Sequence, residues 1–305
     1  MIHGVLNIYK EKGYTSHDVV AKLRGIVGQK KIGHTGTLDP DAVGVLPVCL
    51  GKATKLCDML TDKNKTYETV LLLGKTTDTQ DISGTVLEEH ETEHLTESEV
   101  EQAIQSFIGE YMQVPPMYSA LKVNGKKLYE LARAGIEVER KARQVTIFDI
   151  RIKEVKLPRV RMEVSCSKGT YIRTLCHDIG EKLGCGACME ELTRTKVSRF
   201  EIKDSLKLEK VQSLKEAGKL DTVLVPIDDM FSEYEAVTLK EEYQSFAYNG
   251  NVFFSKHLET HLSLADGKKV RVYDQKGRFI AIYTFRKDKY LFQLEKMFFD
   301  RNEVY

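Results

Sequence analysis

The chain has 305 residues, 42% hydrophobic and 30% charged, with a formal net charge of +1 at neutral pH. That fits a soluble globular protein with a core large enough to need no staples, and no apolar run approaches the roughly 20 residues of a membrane span. The opening MIHGVLNIYKEKGYTS lacks the order of a secretory signal, so a cytoplasmic protein is expected, with its six cysteines as reduced thiols.

Along the chain, TSHDVVAKLRGIVG predicts a helix capped at Ser16, with Val19, Val20, Leu23 and Ile26 on its apolar side. KIGHTGTLDPDA reads as a loop from its glycines and proline. VGVLPVCLG is a buried strand interrupted by Pro47, or a packed loop. KATKLCDML fits a short helix, and KTYETVLLLG a strand. In TESEVEQAIQSFIG, Thr96 and Glu99 have capping-box spacing, and Val100, Ile104, Phe107 and Ile108 follow a helical period. Asn124-Gly125 signals a tight hairpin, followed by a helix ending at Gly135. RQVTIFDIRIKEVKLPRVRMEVSCSKG gives two antiparallel strands, and TYIRTLCHDIGEKLG a helix from Thr170 to near Gly184. KLEKVQSLKEAG is a further helix and VPIDDMFSEYEAV a linker. From about Tyr234, the runs NVFFS, KKVRVYD, RFIAIYTF and KYLFQLEKMFF predict a small β-barrel. The expected class is α+β: a mixed α/β domain on a long, mostly antiparallel sheet over 1–230, then a barrel over 231–305.

Charge is uneven. Asp78 to Glu110 holds ten acidic residues and no Lys or Arg, whereas Lys122 to Arg161 holds twelve basic residues against five acidic. One basic sector on a nearly neutral protein is compatible with a polyanion bound on one side; from charge alone two solvated faces are the first reading.

Several residues have a chemical and a bland reading. Asp39 precedes Pro40, which restricts its backbone, and the nearby glycines allow a close approach. The turn can hold a catalytic carboxylate rigidly or be an ordinary surface turn; magnesium held by Asp39 and Asp41 is a third, weaker reading. Arg173 lies in the first turn of a helix, where the dipole is already positive, so it should find an anion or remain solvated. Tyr67, at a strand start, packs in the core or stacks on a base. His34 sits in a glycine loop with no second histidine at ligand spacing. Cys185 and Cys188 form one C-x-x-C, with Cys176 and His177 as the nearest further ligands, too few for a strong zinc signal. Phosphate-binding glycine motifs and the G-x-S-x-G elbow do not occur.

Together, GHTGTLDPDAVGVLPVCLGKATK (33–55), KTYE (65–68), TTDTQDISG (76–84), VPPMYSALKVNGKKLYELARAG (114–135) and CSKGTYIRTLCHDIGEKLG (166–184) resemble the TruB family of tRNA pseudouridine synthases. The β-rich tail resembles its small PUA RNA-binding domain. The resemblance implies a pseudouridine synthase fold and action on uridine 55 in the T-arm loop of tRNA, without the guide RNA and partner proteins that some relatives need. It assigns the key carboxylate to Asp39, its cationic partner to Arg173 and base stacking to Tyr67. His34 fills the gap left in the RNA loop. A flexible basic thumb over about 122–150, with Lys122, Lys126, Lys127 and Arg133, grips the arm. Lys52 and Lys65 are further candidates for phosphates, Asp41 for a structural role. The isomerisation requires no metal or nucleotide cofactor, and a monomer is expected. A tRNA-folding helper that needs no turnover is the alternative.

Overall fold

In the computed structural model, which describes residues 1–260 and 262–300, strand β1 (Gly4–Lys10) leads to helix α1 (Ser16–Val27). The cap of α1 is Thr15, not the expected Ser16. Its hydroxyl accepts the Asp18 N–H at 3.1 Å, and the Asp18 carboxylate accepts the Thr15 N–H at 2.8 Å, which satisfies two end donors at once. Ser16 is thereby freed to accept the Leu38 N–H at 2.9 Å, tying the helix start to the glycine loop. That loop runs between strands β2 (Ile32–His34) and β3 (Val43–Leu50).

Strand β3 is continuous through Pro47. The proline lies opposite Asn7 of β1, and its carbonyl accepts the Thr35 N–H just beyond the end of β2. The missing proline N–H therefore falls where the ladder has already stopped.

Helix α2 (Cys57–Thr61), strand β4 (Lys65–Leu73) and the hairpin of β5 (Lys75–Thr77) and β6 (Val86–Glu89) follow. Helix α3 (Glu97–Gln105) has the expected box of Thr96 and Glu99, but it ends before Phe107, and Ile108 is exposed. After β7 (Gly109–Gln113), strands β8 (Lys122–Val123) and β9 (Lys126–Lys127) form the predicted hairpin, with Asn124 and Gly125 at φ of 51° and 83°. Helix α4 (Leu128–Arg133) leads to β10 (Arg143–Lys156) and β11 (Arg159–Cys166). Helix α5 (Ile172–Leu183), β12 (Ala187–Val197), β13 (Phe200–Glu201) and α6 (Leu208–Glu216) complete this part.

Nine strands make one sheet in the order β1-β3-β12-β4-β11-β10-β7, with β2 beside β3 and β13 beside β12. Among the described residues only β3 and β12 run parallel in it. Side chains alternate across the sheet. Tyr67, Met162, Val164 and Cys166 pack with Ile172, Leu175 and Ile179 of α5 and Val100 and Ile104 of α3. Glu68, Arg161 and Glu163 take the alternate positions and face away from those helices.

The tail holds β14 (Glu235–Thr238), α7 (Gln244–Tyr248), β15 (Lys269–Tyr273), β16 (Phe279–Arg286) and β17 (Leu291–Met297), with a four-stranded sheet in the order β14-β15-β16-β17. NVFFS supplies a bridge from Phe253 to Phe292 rather than a strand. The first strand comes instead from the expected linker. Ile227 and Phe231 of that stretch are buried with Val45, Cys49, Val197, Ile282 and Phe298. Leaving such side chains in water forgoes roughly 1.5–3 kcal/mol each, so the segment wedges between the two sheets. No helix among the described residues is long and apolar enough to cross a membrane.

Candidate active site

The Asp39-Pro40-Asp41 turn is anchored at both ends. Leu38 and Ala42 are each 3% exposed and share a core with Tyr67 and Ile172. The Ala42 N–H donates to the Asp39 carbonyl at 3.1 Å, and the Gly13 N–H to the Pro40 carbonyl at 2.9 Å. Beneath lies Lys10, fully buried, whose ammonium donates to the carbonyls of Ala42 (2.6 Å), Pro40 (3.1 Å) and Glu11 (3.2 Å). Burial pushes the Lys10 ammonium down to about 8, with Asp39 and Asp41 opposing the shift. Asp41 itself is exposed.

The cap position of helix α5 falls on Tyr171, not the expected Thr170, and its side chain makes no capping bond; the Thr170 hydroxyl donates to the Ser167 carbonyl at 3.0 Å. Gln113, at the end of β7, holds the helix start instead: its amide accepts the Tyr171 N–H at 2.8 Å and donates to the Tyr171 carbonyl at 2.9 Å. Two residues on, the Arg173 guanidinium spans two carboxylates. Nη2 lies 3.2 Å from Asp39 Oδ2 and Nη1 lies 3.3 Å from Asp81 Oδ2. The remaining donors reach the Tyr118 carbonyl at 3.0 Å and the Thr79 carbonyl at 3.3 Å. Arg173 is sealed, at 7% side-chain exposure, while Asp39 keeps 43% open to an incoming ligand. Asp81 is held in turn by the hydroxyls of Ser83 (2.6 Å) and Thr79 (2.8 Å).

Tyr67 is 8% exposed and lies opposite Arg194 of β12. Burial pushes its phenol up to about 12, and the adjoining Arg194 opposes the shift. Arg194 is 1% exposed and donates to the carbonyls of Val45 (2.7 Å), Gly36 (3.3 Å) and Thr37 (3.4 Å). His34 meets His17 edge to face, ring centres 5.2 Å apart, and its Nδ1 accepts the Gly36 N–H at 3.3 Å, which places its proton on Nε2. Burial, then His17 and Arg194, lower its pKa, so the ring is neutral at pH 7.

The candidate lysines divide. The Lys65 ammonium turns inward to the carbonyls of Lys63 (2.7 Å) and Thr61 (2.9 Å), and burial pushes it down to about 8. Lys52 lies 5.8 Å over the Phe299 ring, against the C-terminal part. Lys122 stands opposite Lys127 across the β8–β9 hairpin, and Lys126 is exposed. Lys127 and Arg133 both rest on the Tyr129 ring, at 5.2 and 5.5 Å. By contrast, Lys153 and Arg161 pair with Glu68, Glu163 and Glu191 on the sheet face turned away from Tyr67, and Arg159 pairs with Glu190. The basic stretch is therefore paired in its strands with acids from outside it, Glu68, Glu163, Glu190 and Glu191, and open at its hairpin. Among the described residues no three His, Cys, Asp or Glu gather where they could hold a metal ion.

Lys10, Asp81, Gln113 and Arg194 escape a sequence reading. A Lys or Arg in a strand usually marks a solvated face, and only the Asp-x-Ser turn chemistry of TQDISG distinguishes Asp81.

A family model described as TruB family pseudouridylate synthase (N terminal domain) matches residues 24–172, and one described as tRNA pseudouridylate synthase B C-terminal domain matches 173–232. A protein named tRNA pseudouridine synthase B from Lachnoclostridium phytofermentans is 51% identical over 308 residues, covering 97% of this chain and 100% of its own length. One of the same name from Alkaliphilus oremlandii is 46% identical, covering 90% of this chain and 91% of its own length. Among solved structures, one described as a Cbf5-Nop10-Gar1 complex aligns with a TM-score of 0.73 at 27% identity, over 98% of this chain and 86% of that one. With an arginine-held carboxylate open to a ligand and near-full-length likeness of this kind, the chain belongs to the TruB family of pseudouridylate synthases.

Proposed function

We propose that the chain converts uridine 55 in the T-arm loop of tRNA to pseudouridine, acting alone as a cytoplasmic monomer. Its catalytic domain spans 1–230 and an RNA-binding domain 231–305. The observation that carries this reading is the Asp39 carboxylate, open on one side and fastened to a sealed guanidinium on the other. The reaction breaks the bond from uracil N1 to ribose C1′ and joins C1′ to C5, with no net change in atoms. Arg173 aims the Asp39 carboxylate, because its planar guanidinium is itself fixed by Asp81 and by the Thr79 and Tyr118 carbonyls, which a lysine would not reproduce. Tyr67 offers a flat wall for the extruded uracil, and a phenol pushed up to about 12 keeps its proton at neutral pH. The neutral His34 ring fills the space the base leaves without placing a charge among stacked bases.

The hairpin supports an RNA partner. Lys122 and Lys127 face each other, an arrangement that costs stability unless a polyanion neutralises it. Replacing Lys122, Lys126 and Lys127 by Gln is expected to weaken T-arm binding and lower the slope of log K against log salt by about 0.7–0.9 for each phosphate no longer neutralised. Replacing Lys153 and Arg161 on the opposite face should leave both unchanged. Equal losses from the two sets, in a salt-dependent binding titration, would contradict the assignment.

A pH dependence follows from Lys10. Its ammonium holds the carbonyls behind Asp39, so the single-turnover rate should decline above pH about 8, and Lys10→Met should be slow and lose most of that decline. The folded chain releases this proton at lower pH than the unfolded chain does. The Lys10 contribution to stability therefore rises with pH between about 8 and the ordinary lysine value near 10.4. A rate that stays level to pH 10 would remove Lys10 from this role.

The reaction itself is tested with T-arm RNA carrying tritium at C5 of the target uridine. Isomerisation should release the label to water; RNA bound tightly with no release would favour the folding helper.

A further inference from the structure

Arg194 has the largest side chain among the fully buried ones described. A guanidinium removed from water is costly unless its donors are used, and its hydrogen-bond partners are carbonyls rather than carboxylates. Those carbonyls belong to one segment. Gly36 and Thr37 lie just before Asp39, and Val45 lies just after the turn. Between them β3 and β12 touch at Gly44, which sits at φ +108° and where a Cβ would come within 2.3 Å of the Arg194 carbonyl oxygen. In the same register row, on β4, stands Tyr67, whose hydroxyl the guanidinium adjoins.

From this placement we propose that Arg194 is a positioning residue for the isomerisation, fastening both ends of the Asp39 loop and the Tyr67 ring to one point so that their separation holds while RNA enters. The inference rests on the pseudouridine synthase reading for its reaction and on the geometry alone for its contacts. Lys10 supports the loop from its own side, through the backbone carbonyls of Glu11, Pro40 and Ala42. Leu38 and Ala42 pack in the same core as Tyr67, and Arg194 adds a polar tie between the carboxylate loop and the phenol.

Arg194→Lys keeps the charge and loses the three-way fork. It should fold and bind T-arm RNA within about threefold of the parent, while single-turnover tritium release falls at least about 30-fold. Tyrosine labelled with ¹³C at Cζ should show the Tyr67 resonance displaced in this variant, as expected of a guanidinium withdrawn from its hydroxyl. A folded variant with parental rate, or with an undisplaced Tyr67 signal, overturns the inference. Should Arg194→Lys not fold, ¹⁵N-arginine spectra of the parent chain and of Tyr67→Phe decide. The Arg194 Nε–H should exchange slowly and shift when the Tyr67 hydroxyl is removed; rapid exchange or no shift overturns it. A parent chain that releases no tritium defeats the proposed reaction, and the two spectroscopic readings, which need no turnover, still judge the placement.

Discussion

Asp39→Asn is expected to lower tritium release from C5-labelled T-arm RNA by at least about 10⁴-fold, the scale on which removal of a reacting group acts. The amide keeps the shape of the carboxylate and leaves an oxygen beside the Arg173 guanidinium, so the loop should stay in place. Leu38 and Ala42, the Lys10 ammonium and the Ser16 hydroxyl hold it independently of the residue 39 side chain. That side chain is 43% exposed, so the thermal midpoint should move little and RNA affinity should stay within about threefold. Loss of turnover with binding and stability intact separates a chemical role from a structural one. A variant that turned over at even a hundredth of the parental rate would mean that Asp39 is not the group on which the reaction depends.

Arg173→Met should be nearly as severe and should differ in kind. It removes the cation from two carboxylates and leaves the Tyr118 and Thr79 carbonyls without their donor. Breaking a buried pair from one side costs about 3–5 kcal/mol. The Asp39 half is screened by solvent and deserves little of that, whereas Asp81, 17% exposed, deserves most. A stability loss of about 3 kcal/mol is therefore expected together with a rate loss of about 10³-fold. Arg173→Lys should recover stability better than rate, because one ammonium reaches one carboxylate and cannot orient Asp39 against Asp81. Denaturant titration and single-turnover kinetics on the same samples check this. Full recovery of rate by lysine would show that charge, and not the fork, is what the site needs.

What the sequence disclosed depended on how local each signal was. The Thr96–Glu99 box and the Asn124-Gly125 turn are set within a few residues, and both form as expected. Ser16 failed as a cap because its neighbour Thr15 could bond reciprocally with Asp18, and Ser16 had a distant partner in Leu38 that local spacing does not reveal. The expected linker became a strand and a wedge for a similar reason: Ile227 and Phe231 find their cover only once two sheets meet. In the site, Arg173 was legible as a cation in an unfavourable field looking for an anion, and it meets Asp39. Lys10 and Arg194 were not, since nothing in a strand sequence marks a cation that will be enclosed by backbone carbonyls. The basic stretch was legible as charge but not as two halves, because the acids that cancel its strands come from β4, β11 and β12.

The most direct test gives the purified chain a full-length tRNA transcript, with no other protein or RNA present, and maps pseudouridine by carbodiimide-dependent arrest of reverse transcription. One arrest site, at uridine 55 of the T-arm loop, is the predicted result. No arrest there, or arrest only when a guide RNA and partner proteins are added, would contradict the account.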